Sequence, residues 1–182
     1  MQKLGIKQIH TFITKNLRDE IFIRYENYEI LCEADLQSHV WQVLVQYFQN
    51  NEERKGLFKV LNKPYLKEIK IHPDLVIFRR DKPFIVIELK EWRSPKQKSG
   101  NKDLQRLLGT KMHYFEIHKH RIKRGYLMYV SWVQTKKIFE GSKGDAARFL
   151  FEIPVVPENI DPIKFKEWKK GFKKWAKYVQ KS

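Results

Sequence analysis

The order of apolar patterns along the 182 residues predicts a single-domain α/β fold. Three observations carry that expectation. A helix-period stretch beginning at Glu33 is followed by three strand-like runs, a second helix-period stretch is followed by two more, and neither an internal repeat nor a low-complexity linker divides the chain. A chain of this length fits one compact domain with a sizeable core, and its 42% hydrophobic content is ordinary for a globular protein.

Taken in order, residues 1 to about 30 are ambiguous. EADLQSHVWQVLVQYF then places Leu36, Val40, Leu44 and Phe48 at helical spacing, with NNEERKG as a polar exit. LFKVLNKPYL, 57–66, reads as a strand weakened by Pro64, and 70–90 as a β-hairpin around the polar turn RRDKP. The loop EWRSPKQKSGN, 91–101, is broken by Pro95 and Gly100, after which Leu104, Leu108, Met112 and Phe115 mark a second helix reaching about residue 121. GYLMYVSWV, 125–133, and RFLFEIPVV, 148–156, are strands separated by the turn-rich EGSKGD. At the C-terminus, about 161–180, Phe165, Trp168, Phe172, Trp175 and Val179 form an amphipathic helical stripe, with lysines mostly on the remaining faces. That stripe is expected to dock on the domain or on a second subunit, so a homodimer is one expectation.

The hairpin poses the functional question, because Asp74, Glu88 and Lys90 interrupt its apolar pattern near the open end. Strand side chains alternate, so Asp74, Val76 and Phe78 share one face of the first strand, and Phe84, Val86, Glu88 and Lys90 one face of the second. The opposite faces, Leu75 and Ile77 with Ile85, Ile87 and Leu89, are apolar too, which suits strands covered on both sides. With the turn centred near Asp81, residues 74 and 88 lie opposite one another. Two neighbouring carboxylates in a half-buried setting repel unless something compensates them. Mg²⁺ does so, being commonly held by one or two carboxylates and completing its shell with water and a phosphate oxygen. Lys90, two residues on, would then stand near a scissile phosphate. These are the parts of metal-assisted phosphodiester hydrolysis.

Composition narrows the partner. Lys and Arg number 37 against 21 Asp and Glu, and the formal charge of +16 favours a polyanion, either nucleic acid or an acidic membrane surface. Arg93, Lys96, Lys98 and Lys102 follow the second hairpin strand directly and would offer cations to a phosphate backbone. Cys32 is the one cysteine, which excludes an intrachain disulfide and makes an intracellular setting, cytoplasmic or nucleoid-associated, the simpler expectation. No apolar stretch approaches the roughly 20 residues of a spanning helix, and MQKLGIKQIHTF lacks a signal-peptide core, so no membrane is expected as partner.

Pro73-Asp74, thirteen intervening residues, then Glu88-Leu89-Lys90 resembles the PD-(D/E)xK nuclease superfamily. The order of elements is similar to that family's restriction-endonuclease-like αβββαβ core, over roughly residues 30–133. The resemblance implies a mixed central sheet flanked by helices, a core of about 30–156, and Mg²⁺ or Mn²⁺ held by Asp74, Glu88 and the Leu89 backbone carbonyl. It implies a further acidic group on the first helix, for which Glu33 is placed in EADLQ, with Asp35 as substitute, and a catalytic role for Lys90. Asp103, Gln105 and Arg106 are the polar candidates on the second helix, Arg106 toward nucleic acid. Exonuclease-like branches carry Gln-x-x-x-Tyr there, whereas Gln105 is followed at the fourth place by Gly109, which puts a RecB-like exonuclease in doubt.

Other constellations are weaker. His118 and His120 would point to different sides of a helix, His72 precedes the motif as a strand-end histidine, and no Ser-His-Asp arrangement surrounds Ser38 or Ser131. Gly141, Ser142 and Gly144 form a turn without the phosphate-loop signature. The expectation is therefore a metal-dependent DNA endonuclease, restriction-like or junction-resolving. A non-cleaving nucleic-acid-binding module of the same fold, and a basic protein that docks to membranes or acidic proteins, are the alternatives.

Overall fold

The computed structural model of the protein describes residues 5–27, 29–30, 32–50, 55–67, 72–92, 122–131, 149–156, 163, 166–167 and 170–171. Its architecture is α/β: helices pack against a five-stranded mixed sheet of order β1-β2-β3-β4-β5.

The ambiguous N-terminal residues form a helical rod, α1 (Ile6–Thr11), a π-helical segment (Phe12–Leu17) and α2 (Arg18–Glu26). Ile9, Ile13, Leu17, Ile21 and Tyr25 recur every four residues and all are 0% exposed. In a helix of 3.6 residues per turn each four-residue step overshoots by about 40°, so a strict stripe of this kind winds off the core. The π segment, bonded i→i+5, takes more residues per turn and brings the stripe back. Helix α3 (Glu33–Gln49) begins where the Asp35 carboxylate accepts the Cys32 N–H at 3.1 Å, half of a capping box. The predicted Leu36, Val40, Leu44 and Phe48 are all buried.

The sheet opens with β1 (Phe58–Asn62), shorter than the predicted 57–66, because the backbone leaves the ladder at Lys63, φ 43°, just before Pro64. β2 (Leu75–Arg79) and β3 (Lys82–Trp92) form the predicted hairpin. Its turn residues, Arg80 and Asp81, both have positive φ, 49° and 61°, as a tight hairpin turn requires. β3 runs two residues further than expected, taking Glu91 and Trp92 from the predicted loop. β4 (Arg124–Ser131) and β5 (Leu150–Val155) then pair in parallel with β3 and with each other, whereas β1, β2 and β3 are antiparallel.

Both faces of the sheet are buried. Leu75, Ile77, Ile85, Ile87, Leu89, Tyr126, Met128 and Val130 pack with the rod and α3. Val76, Val86, Leu127, Tyr129, Phe149 and Leu150 form a second apolar cluster. Gly125 admits Phe149 between them: a Cβ there would stand 3.0 Å from the Phe149 ring. At one edge Pro154 costs β5 no ladder partner on its open side, and the Arg18 Nε donates to the Pro154 carbonyl at 3.1 Å. The predicted helix over 101–121 lies outside the described residues. So does most of the C-terminal helix, of which 163, 166, 167, 170 and 171 are helical and exposed.

Candidate active site

The hairpin register decides where the carboxylates fall. Leu75 pairs with Ile87, Val76 with Val86 and Ile77 with Ile85, all centred on position 81, and Asp74, one residue before β2, continues this register toward Glu88. Nearer the turn, Phe78 pairs with Pro83 and Arg79 with Lys82, centred between 80 and 81. The difference is a β-bulge at which Phe84 is the extra residue of β3. Without it Asp74 would oppose Ile87.

Asp74 is held on three sides. Its carbonyl accepts the Lys63 N–H at 2.8 Å and the Gln37 side-chain amide at 2.9 Å, while its Oδ2 accepts the Leu89 N–H at 2.8 Å. Such bonds fix the backbone of Asp74 and hold its carboxylate in one orientation. Asp74 is 8% exposed and Glu88 1%. Glu88 stands inside the sheet, aligned with Leu127 of β4, on the face of Val86. Two carboxylates this buried are costly without a cation or donors beside them.

Lys90 continues that face of β3, and its Nζ lies 3.3 Å from both carboxylate oxygens of Glu33. Glu33 is thus brought to the site through Lys90, from the first turn of α3, with 45% of its side chain exposed against 18% for Lys90. Among the described residues no three His, Cys, Asp or Glu side chains converge as a metal cluster. Of the described side chains, Asp74 and Glu88 are the buried carboxylates that could hold a cation, with water and substrate oxygens completing its shell. That suits Mg²⁺, which keeps several waters and takes one or two carboxylates.

Gln37 was not anticipated from the sequence. It is 6% exposed and lies one helical turn after Glu33, a polar residue beside the apolar stripe of α3, which is the signal that marks it. Leu89, by contrast, buries its side chain in the core while its N–H orients Asp74. The expected phosphate-contacting residues Arg93, Lys96, Lys98, Lys102 and Arg106, with Asp103 and Gln105, lie outside the described residues.

Comparison of this chain with protein-family models, with curated proteins and with solved structures gives no match.

Proposed function

We propose that the protein is a metal-dependent DNA endonuclease of the PD-(D/E)xK type with a restriction-endonuclease-like fold, acting in the intracellular setting where DNA is met. The observation that carries this reading is the hairpin register that sets the buried Asp74 toward the buried Glu88, with Lys90 two residues further along β3. The mixed sheet, antiparallel through β3 and parallel beyond it, and a Glu-bearing helix ahead of it, support the same assignment. Among the described residues no helix is long and apolar enough to cross a membrane.

Asp74 and Glu88 would hold a divalent cation, which would supply Lewis-acid neutralisation of charge developing on the phosphate. The protein's own groups do the rest. The Leu89 N–H and the two bonds to the Asp74 carbonyl hold Asp74 ready, so no reorganisation is needed when substrate arrives. Glu88, shielded from solvent, presents its charge in a setting of low dielectric, where an ionic contact is strongest. Lys90 offers an ammonium group that can turn from Glu33 toward the phosphate or orient an attacking water.

The test is cleavage of closed-circular plasmid with Mg²⁺ or Mn²⁺, with EDTA as control. Wild type should nick or linearise it. Asp74→Asn and Glu88→Gln should lower the rate at least about a hundredfold, and Lys90→Ala should abolish most cleavage while changing DNA affinity less than about tenfold. Retardation of plasmid by wild type without cleavage in either metal would instead identify a binding module.

A further inference from the structure

The antiparallel ladder of β1 and β2 ends at Asn62 with Leu75, and the Lys63 N–H bond to the Asp74 carbonyl carries the approach of the two chains beyond it. Three residues past Asn62 stands Tyr65, and three before Leu75 stands His72. Their rings stack, with centroids 4.6 Å apart and planes inclined by 23°. The pair is fixed from below: Leu66 is 5% exposed and Pro73 is buried, each next to its aromatic neighbour. Above, it is open. Tyr65 keeps 52% of its surface exposed, and His72 is exposed too. The exposed Lys63 and Lys67 flank Tyr65, and Asp74 is two residues from His72.

A tyrosine that already has one stacking partner and still exposes half its surface presents a π-face at which a second ring can add. Bases whose faces are covered by neighbours in a duplex cannot use it. An unpaired base can, and the adjoining lysines, in a chain of net charge +16, suit the phosphates on either side. We infer that Tyr65 and His72 form a stacking platform for an unpaired nucleobase next to the Asp74–Glu88 site. The preferred substrate is then a single strand or a junction or flap with unpaired nucleotides, rather than uninterrupted duplex. This rests on the nuclease reading for the meaning of the neighbouring site, but not for the platform itself.

Binding is measured in EDTA, so that cleavage plays no part, with three labelled probes: a short single strand, the same strand made of abasic residues, and a duplex. Wild type should bind the base-bearing single strand at least about fivefold more tightly than the abasic one, the low end of what one base–aromatic stack contributes. Tyr65→Ala should remove that preference, Tyr65→Phe should keep it, and all three proteins should bind duplex alike. Equal binding of base-bearing and abasic strands by wild type would overturn the inference. So would full preference in Tyr65→Ala, or its loss in Tyr65→Phe, which would assign the effect to the hydroxyl. If Asp74→Asn still cleaves with Mg²⁺ while Tyr65→Ala loses the preference, the nuclease assignment of the carboxylates fails and the platform stands.

Discussion

Glu33 and Asp35 are two residues apart at the start of α3, yet their carboxylates serve different ends. Asp35 caps the helix terminus by accepting the Cys32 N–H, while Glu33 reaches Lys90. An ion pair this open to solvent stabilises the fold by no more than about 1 kcal/mol, so its consequence is the position of the ammonium group. On α1, His10 is tied to the core by another route. Its Nδ1 and the Tyr126 hydroxyl share a hydrogen bond of 3.0 Å, its ring packs on Phe151 with centroids 4.5 Å apart, and the Arg124 guanidinium lies over the Phe151 ring at 4.5 Å. Burial, and then the Arg124 charge, hold the His10 imidazole below its usual range, and burial raises the Tyr126 phenol despite Arg124. A histidine depressed in the folded state binds its proton more readily in the unfolded one. Its contribution is therefore present above pH 6.5 and is lost as pH falls from there through the folded value. Urea midpoints should accordingly show the stability advantage of wild type over His10→Gln shrinking between about pH 7.5 and about pH 5.5 (about one unit either side of the imidazole value). Parallel curves would mean that His10 binds its proton equally readily in the folded and unfolded protein.

At the scale of elements, the hairpin is a ruler whose setting depends on one extra residue. Because Phe84 bulges, the pairing that matters at the open end is Asp74 with Glu88, and cross-linking can read it directly. With Cys32→Ser removing the native thiol, Asp74→Cys combined with Glu88→Cys should oxidise to an intramolecular disulfide, since directly opposed residues bring their Cβ atoms within about 4.5–5.5 Å. Asp74→Cys with Ile87→Cys should stay reduced, and the reverse outcome would show the hairpin paired without its bulge. This pairing was legible in the sequence for a partly fortuitous reason: centring the turn on Asp81 gives the register beyond the bulge, although the turn itself lies at Arg80 and Asp81. Helix α3 was legible because Leu36, Val40, Leu44 and Phe48 follow the helical period. The N-terminal rod was not legible as one element, although Ile9, Ile13, Leu17, Ile21 and Tyr25 keep the same four-residue spacing, because the π segment that holds so long a stripe on one side has no signature in the sequence. Gln37 and the His10–Tyr126 bond escaped for a different reason. Each is a tertiary contact, the second across 116 positions; a local pattern can mark Gln37 as polar beside an apolar stripe but cannot name Asp74 as its partner.

For the molecule as a whole, the excess of basic residues sets how it meets a polyanion. Each phosphate neutralised on duplex DNA steepens the fall of log affinity with log salt by about 0.9. If Lys96 and Lys98 each neutralise one phosphate, Lys96→Ala with Lys98→Ala should flatten that slope by about 2, as measured by anisotropy across a salt series, while cleavage at saturating enzyme stays nearly intact. An unchanged slope would place the phosphate contacts elsewhere among the 37 basic residues.

The sequential strand order has a consequence for synthesis. Everything that builds the carboxylate pair lies between Glu33 and Trp92, in α3 and the three antiparallel strands that follow it. The parallel partner of β3 starts only at Arg124. At roughly 5–20 residues per second a ribosome needs a few seconds to deliver the intervening chain. During that interval β3 is an unprotected edge carrying Ile85, Ile87 and Leu89, able to pair with the same strand of a neighbouring nascent chain. The charges that interrupt it, Glu88 and Lys90, fall on this temporary edge, where inward-pointing charge discourages such pairing. The residues assigned to cutting would thus also guard the half-made protein, so that neutral substitutions there should raise the yield of aggregate before they are ever tested for activity.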